Sequence, residues 1–303
     1  MARIVLHEVG PRDGLQMEKQ AVPTDKKESW LRGLMDSGVD IIQVGSFVHP
    51  EKVPQMADTD ELFRRLQAGK KSPAVLSGLV LNEKGVERGL ACGVEMFCMG
   101  ASASDTHSRK NAGVGTDEAV QRIVAAARAA TAAGKRVQVS VQSAFGCGFE
   151  GPIPEHRVLG MVRAYLDAGL RNISLADTAG HAHPALVERL FGAILRIDPG
   201  VELACHFHNT YGLGMANMFA AMRAGVGSFE TSIAGLGGCP FTKVAAGNVA
   251  TEDFVQALQL QGLRPEVDLE RLIALARDVA AHFGREMQGF VYKTGPIKTK
   301  ERV

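Results

Sequence analysis

The sequence predicts an α/β protein whose fold is a (β/α)8 TIM barrel with a C-terminal helical extension. Short β-rich runs alternate with longer segments whose apolar residues recur at helical spacing, and eight such runs occur in the 303 residues. Strands that alternate with helices across short connections imply a parallel sheet, because each crossover must return over the sheet. Eight repeats favour closure into a barrel, with an open doubly wound sheet as the alternative.

The elements follow one another in a regular order. The predicted strands are residues 4–9, 40–45, 74–80, 95–100, 136–143, 172–176, 202–209 and 228–233. The predicted helices are residues 26–36, 84–91, 117–133, 154–168, 184–197, 215–224 and 252–260. Glycine closes five of the helical segments, where a left-handed C-cap favours it, at Gly38, Gly93, Gly134, Gly169 and Gly225.

The length suits one large domain as well as it suits two small ones, since α/β barrels reach about 250 residues as a single domain. We expect residues 1–262 to form the barrel and residues 263–303 a helical extension that packs on it.

Composition narrows the function classes. The net charge of +1 argues against nucleic-acid binding and against a polybasic membrane surface, so small molecules are the expected partners. Five scattered cysteines without a Cys-x-x-Cys pair indicate neither a disulfide framework nor a structural zinc site. With no signal peptide and no apolar run of about 18 residues, we expect a soluble cytoplasmic protein and a homo-oligomer.

Polar residues cluster where the predicted strands end. In an α/β barrel the carboxyl ends of the strands carry the functional side chains. From the first strand to the loop after the eighth they are Glu8, Arg12, Asp13, Gln43, Ser46, Ser143, Cys147, Asp177, His206, His208 and Cys239.

His206 and His208 end the seventh predicted strand and are two residues apart. Side chains two apart in a strand point to the same face, so both imidazoles could reach one ion. Taken alone, such a pair has an alternative interpretation, as surface histidines or hydrogen-bonded polar residues that bind no metal. His181 and His183 form a second pair, but Pro184 follows at a helix start, so we expect capping or exposure there.

Two glycine-containing loops supply further candidates. The loop after the first strand offers Asp13 to a divalent ion and Arg12 to a developing oxyanion, although a solvated loop is the alternative. Cys239 lies near the end of a glycine-rich loop and is either buried filler or an acid or nucleophile. Asn248 follows with a neutral carbonyl oxygen.

These segments together resemble the 3-hydroxy-3-methylglutaryl-CoA lyase family, a group of barrel metallolyases related to isopropylmalate synthase-type enzymes. The resemblance covers nearly the whole barrel in the family's order. The matching segments are residues 8–16, 46–48, 53–56, 174–178, 206–212, 234–241 and 247–253.

The resemblance implies a site and a reaction. It implies that Asp13, His206, His208 and Asn248 hold Mg²⁺ or Mn²⁺, and that Glu8, Gln43 and Asp177 support these ligands. It further implies that Arg12 stabilises the enolate and Cys239 protonates the departing carbon, with Asp13 or His206 as the base. The reaction would be retro-Claisen cleavage of an acyl-CoA to acetyl-CoA and a keto acid such as acetoacetate, as in leucine degradation and ketone-body formation.

Binding of the acyl-CoA substrate is expected to involve further residues on the same rim. These residues are Gln16, Ser46, Lys19, Ser143 and Cys147, with Lys110 and Asn111 as candidates for the CoA phosphates.

Three positions depart from the family pattern. Gln43 stands where the family usually has Glu, Met17 where it has Asn, and Asn209 where it has Asp. A different branched or longer 3-hydroxyacyl-CoA is therefore an alternative substrate. The alternative functions are a related aldolase or acyl-CoA condensing enzyme, and a non-catalytic barrel that binds acyl-CoA.

Overall fold

A closed barrel of eight parallel strands forms the centre of the molecule. The computed structural model describes residues 4–238 and 247–297. Each strand pairs with the next along the chain, and the last strand pairs with the first. The strands are β1 (Val5–Glu8), β2 (Ile41–Ser46), β3 (Val75–Leu79), β4 (Met96–Ser102), β5 (Arg136–Gln142), β6 (Asn172–Asp177), β7 (Glu202–Phe207) and β8 (Ser228–Thr231). The predicted barrel is confirmed, and the open-sheet alternative is wrong.

Helices follow the strands and cover the outside of the barrel. They are α1 (Thr24–Met35), α2 (Thr59–Gln67), α3 (Glu83–Ala91), α4 (Asp105–Ala112), α5 (Thr116–Ala132), α6 (Glu155–Asp167), α7 (Pro184–Ile197), α8 (Gly214–Arg223), α9 (Thr251–Gln259), α10 (Leu269–Phe283) and α11 (Val291–Thr294). Each of the seven predicted helices is present, with boundaries that agree within two residues. Among the helices of the described residues, none has the length and apolar character needed to cross a membrane.

The inside of the barrel changes from apolar to polar along the strands. Near the amino ends, Ile41, Met96 and Cys98 pack together with Val75. Beside and above these residues, toward the carboxyl ends, the buried inward residues are polar: His7, Gln43, Ser77, Gln138, Ser174 and Glu230. Barrel interiors are usually filled by branched apolar side chains. The polar layer therefore marks the floor of a functional cavity.

The chain after the barrel helices returns to α1. Lys26 Nζ lies 2.6 Å from an oxygen of Asp278 in α10, and Trp30 Nε1 donates a 2.6 Å hydrogen bond to the same carboxylate. The Trp30 ring also packs edge-on against His282 at 5.3 Å between centroids. A helical extension is thus present in α10, while its boundary as a separate unit at residue 263 stays a prediction.

Candidate metal centre and substrate cleft

Three side chains converge at the carboxyl end of the barrel. Asp13 lies in the helical turn Gly10–Gly14 that follows β1, His206 lies in β7, and His208 lies just beyond it. The Nε2 atoms of His206 and His208 are each 3.9 Å from Oδ2 of Asp13. One ligand atom from each residue lies within 4.8 Å of the other two, which is close enough to hold one ion. The strand geometry thus brings together the predicted pair and the predicted carboxylate.

Asn248 completes the set from the segment that closes the barrel. His208 and Asn248 are bridged by backbone hydrogen bonding, and Asn248 Nδ2 donates to Asp13 Oδ2 at 2.9 Å and to the Leu236 carbonyl at 3.0 Å. Its Oδ1 is buried and makes no hydrogen bond with the described residues. A buried carbonyl oxygen without a donor is costly. The amide of Asn248 reaches Asp13 through its nitrogen, so a half-turn of the terminal torsion would place Oδ1 toward Asp13 and the two histidines. An ion held there would then satisfy this oxygen, and the residues present fit a divalent metal.

Glu230 on β8 supports the first histidine and was not among the residues predicted from the sequence. Its Oε2 accepts a 3.0 Å hydrogen bond from His206 Nδ1, and its Oε1 accepts a 2.9 Å bond from Ser174 Oγ. A carboxylate on the distal ring nitrogen fixes the tautomer and leaves Nε2 for a metal. The signal available in the sequence was an acidic residue inside a predicted strand of a barrel.

The two histidines differ in their electrostatic surroundings. Burial lowers the pKa of His206, but the hydrogen bond to Glu230 and the charge of Asp13 outweigh this, so its pKa is raised. Burial, with the neighbouring His206, lowers the pKa of His208 to about 4. His208 is therefore neutral at pH 7, which is the form that binds a metal.

Asp13 is held in its charged form. Burial opposes its ionisation, but Arg12 and the two histidines together lower its pKa well below the usual range. Arg12 Nη1 donates to Asp13 Oδ1 at 2.7 Å, and Arg12 Nε donates to Gln43 Oε1. Gln43 thus orients the guanidinium as a neutral acceptor, where a glutamate would add a charge.

Glu8 acts below the metal set as an anchor. Its Oε1 accepts hydrogen bonds from the backbone N–H groups of Gly10 at 2.8 Å and Ile233 at 2.9 Å, while Oε2 accepts from Thr251 Oγ1. Burial raises its pKa to about 7. Through these bonds the carboxyl group of Glu8 connects the Gly10–Gly14 turn, which carries Asp13, to Ile233 and Thr251. These two residues lie before and after the loop that follows β8.

Asp177 is an anchor of the same kind on β6. It accepts from the backbone N–H groups of His181 at 2.8 Å and Ala182 at 3.1 Å, and burial raises its pKa to about 7. It therefore shapes the turn before α7. His183 caps that helix by accepting from Leu186 N, so the predicted capping is confirmed for His183.

The start of the glycine-rich loop is clamped by the C-terminal segment. Ala234 has a left-handed backbone with φ of 59°. Its N–H donates to Glu252 Oε2 at 3.1 Å, and its carbonyl accepts from Gly289 N at 3.1 Å. A Cβ on Gly289 would lie only 2.5 Å from Glu252 Oε1, so the close approach requires glycine there.

A cleft of about 1130 Å³ opens above the candidate metal ligands and runs outward over the barrel. Of the residues predicted to contact substrate, the cleft is lined by Gln16, Ser46, Lys110 and Asn111. Ser46 Oγ is buried and has no hydrogen-bond partner among the described residues.

The other predicted substrate residues lie away from this lining. Lys19 is exposed to solvent. Ser143 is buried, with a left-handed φ of 55° and its N–H donated to Thr178 Oγ1. Cys147 packs in the apolar core, and its backbone pairs with Gly151. Cys239 falls outside the described residues, and Cys92, Cys98 and Cys205 are buried.

Taken together, the closed (β/α)8 barrel and the Asp, His, His and Asn set on its carboxyl rim define a barrel protein with a candidate divalent-metal centre. Residues 3–279 match the family model described as HMGL-like. Hydroxymethylglutaryl-CoA lyase YngG of Bacillus subtilis is 34% identical over 285 residues, which is 94% of this chain and 95% of that protein. Hydroxymethylglutaryl-CoA lyase of Pseudomonas mevalonii is 37% identical and covers 94% of each chain.

Solved structures agree with these sequence relatives. The HMG-CoA lyase of Acinetobacter baumannii in complex with coenzyme A and 3-methylmalate superposes with a TM-score of 0.91 at 35% identity, covering 99% of this chain and 98% of that one. The chain belongs to the HMGL-like family of HMG-CoA lyases.

Proposed function

We propose that this protein is a divalent-metal-dependent carbon–carbon lyase that cleaves 3-hydroxy-3-methylglutaryl-CoA, or a close 3-hydroxyacyl-CoA, to acetyl-CoA and a keto acid such as acetoacetate. The observation that carries the proposal is the convergence of Asp13, His206 and His208 next to Asn248, whose amide contacts Asp13 and whose buried Oδ1 has no partner among the described residues. Relatives named hydroxymethylglutaryl-CoA lyase, at 34–39% identity, support the reaction.

The ion would be Mg²⁺ or Mn²⁺, held by the four residues named above. A mixed set of oxygen and imidazole ligands suits such ions. When bound, the ion would polarise the substrate oxygens and lower the pKa of the C3 hydroxyl.

The side chains of the site can carry the proton and charge of the cleavage. Asp13 would accept the proton of the C3 hydroxyl as the C3 oxygen becomes a ketone and the C2–C3 bond breaks. His206, the other candidate base, has Nδ1 bonded to Glu230 and Nε2 directed to the ion. The bonding pair moves to C2 and gives the thioester enolate, whose charge Arg12 would face as a permanently protonated donor. Cys239 would then donate a proton to C2 and release acetyl-CoA.

The outer part of the cleft supports the proposal that the protein binds an acyl-CoA. Five basic side chains line it, which suits the phosphates of CoA: Lys52, Lys84, Arg88, Lys110 and Arg122. The coenzyme A bound to the relative from A. baumannii supports the same ligand class. We further propose a cytoplasmic homo-oligomer that serves leucine degradation and ketone-body formation, and light scattering in line with gel filtration would test the self-association.

The test of the proposed function is an assay of a panel of 3-hydroxyacyl-CoA thioesters with Mg²⁺ or Mn²⁺, with products identified by mass. Cleavage that stops with EDTA and returns with either ion is expected, whereas a non-catalytic acyl-CoA-binding barrel would cleave none of them. Release of free CoA from acetyl-CoA and 2-oxo acids would instead indicate a condensing enzyme.

The role of Cys239 is tested by Cys239→Ala. Removing the acid should lower kcat by roughly 10²–10⁴-fold while metal affinity, measured by calorimetry, stays unchanged. Turnover close to that of the unmodified protein would show that another group delivers the proton.

A further inference from the structure

The cleft continues below the candidate metal ligands into the barrel. Directly beside His206 and across the interior from it, the inward positions are small: Ala176 pairs with His206, and Gly100 pairs with Ser140. All three small residues line the cleft, as do Cys98 and Gln138 one layer deeper. Because barrel interiors are normally filled by large branched side chains, small residues at this level leave a chamber, named here the inner chamber and lined by Cys98, Gly100, Gln138, Ser140 and Ala176.

The floor of the inner chamber offers hydrogen bonds that the protein does not use. Gln138 is 3% exposed, and its Oε1 accepts only a weak bond from Cys98 Sγ at 3.6 Å. Its Nε2 makes no hydrogen bond with the described residues. Ser140 Oγ lies against Gly100, where a Cβ would be only 1.9 Å away, so glycine keeps this hydroxyl in the chamber. Gln138 and Ser140 are two residues apart on β5, so the amide and the hydroxyl lie on the same inward face of the strand. Together they point to a polar ligand group.

The charges around the inner chamber exclude a second anion. The Glu230 carboxylate lines the same cavity and is held by Ser174 and His206. The cation above it, Arg12, already donates to Asp13 and Gln43. Among the described lining residues at this depth there is no further cation, so a buried carboxylate here would face like charge without compensation. A neutral hydrogen-bonding group meets no such penalty.

We propose that the inner chamber receives the substituent on C3 of the substrate, and that this substituent is longer than methyl and ends in a neutral hydrogen-bonding group such as a hydroxyl. The inference rests on the proposed lyase function and specifies its substrate class. Gln138 and Ser140 are then the specificity-determining residues, while the metal ligands and Arg12 act on the oxygens above them.

The test compares three thioesters that differ only at C3. These are 3-hydroxy-3-methylglutaryl-CoA, its 3-propyl analogue, and its 3-(2-hydroxyethyl) analogue, which has the same number of heavy atoms in the branch as propyl. We expect kcat/KM for the hydroxyethyl compound to exceed that for the propyl compound by about tenfold or more, because the apolar branch would leave the Gln138 amide and the Ser140 hydroxyl without partners.

A matched pair of variants tests whether the preference for the hydroxyethyl compound arises from the inner chamber. Gln138→Leu keeps the length of the side chain and removes the amide, so the ratio of hydroxyethyl to propyl kcat/KM should fall close to one. Gln121→Leu makes the same change on the exposed face of α5 and should leave the ratio unaltered. Thermal melting of both variants separates a loss of folding from a change in specificity.

A binding measurement distinguishes failure of the inner-chamber proposal from failure of the proposed lyase function. Titration calorimetry of the three thioesters into Cys239→Ala with Mg²⁺ should show tighter binding of the hydroxyethyl compound than of the propyl compound. Adding Gln138→Leu to the same variant should remove the difference in affinity. An equal or better result for propyl in both assays would overturn the chamber proposal. Absence of cleavage with all three compounds, together with preserved hydroxyethyl preference in binding, would overturn the lyase function and leave the chamber proposal supported.

Discussion

Glu230 shows how one buried carboxylate can set the properties of a metal ligand. It holds His206 Nδ1 at 3.0 Å and takes its second bond from Ser174. We expect Glu230→Gln to weaken Mg²⁺ or Mn²⁺ binding about 10- to 100-fold, because the neutral amide lowers the basicity of His206 and can present N–H to it. Calorimetry measures the effect.

The control for this change is Glu202→Gln, at the exposed amino end of the same β7 strand as His206. It should bind the ion as the unmodified protein does. Equal affinity in both variants would mean that Glu230 does not orient the histidine.

Glu8 makes the stability of the fold depend on pH. Its pKa is about 7 in the folded protein, above the ordinary value of 4.5, because it is buried. The folded state therefore binds the proton more tightly, and the stability from this group is complete below about pH 4.5 and is lost as pH rises to about 7. The loss amounts to up to about 3 kcal/mol.

The measurement is urea unfolding of the unmodified protein and of Glu8→Gln between pH 4.5 and 8. The difference in free energy of unfolding between the two should shift in favour of the variant as pH rises. A pH-independent difference would contradict the raised pKa of Glu8.

At the level of residues, the sequence predicted the candidate metal ligands and three supporting residues, Glu8, Gln43 and Asp177, but it did not predict Glu230. His206 and His208 were recognisable because strand periodicity places both on one face. Glu230 was not, since an acidic residue in an alternating strand equally fits a solvent-facing position. Whether it faces inward depends on the register with β7, in which His206 pairs with Glu230, and register is a property of the folded sheet.

At the level of elements, two helices of the barrel, α2 and α4, lie outside the predicted set, while α10 and α11 fall within the predicted extension. In α2 the charged residues outnumber the apolar ones, and its buried side chains are mainly Leu62, Phe63 and Leu66. In α4 the buried residues are His107 and Ser108, so apolar periodicity gives no signal. The local cues are its N-cap Ser104, which accepts from His107 N, and its C-cap Gly113, which has a left-handed φ of 76°.

The C-terminal segment is the element whose role is clearest from its contacts. Gly289 donates to Ala234, and Gly235 next to it packs against Gln288 and the backbone of Asn248. We expect Gly289→Ala to destabilise the protein by about 1–3 kcal/mol, because the new Cβ meets Glu252. Metal affinity should also fall, since the displaced turn carries Leu236, the acceptor for the Asn248 side chain.

Denaturant unfolding and metal titration measure these two effects. Gly160→Ala is the matched control, because its Cβ in α6 meets nothing within 4 Å. It should be neutral or stabilising. If Gly289→Ala behaves like Gly160→Ala, the segment does not clamp the turn.

At the level of the whole molecule, the metal centre should act as a stabilising ligand. An ion at 100 times its Kd adds about 2.7 kcal/mol to the free energy of unfolding if it binds only the folded state. We therefore expect Mg²⁺ or Mn²⁺ to raise Tm by a few degrees. Differential scanning calorimetry would record this, and Asp13→Asn should respond much less.

Barrel closure was predictable from eight repeats, whereas the inner chamber was not. Its existence depends on which of the two faces of each strand points inward and on how Gly100 and Ser140 oppose each other. A pattern along the chain does not contain those relations across the barrel.

The hydrogen bond between Asn248 and Asp13 joins residues 235 positions apart. During synthesis, Asp13 leaves the ribosome long before Asn248, and the β1 strand must wait for β8 before the barrel can close. The ion site therefore cannot exist on a nascent chain that lacks its last strand. Metal binding would then show that the fold is complete. Its time course during refolding should follow the pairing of β1 with β8.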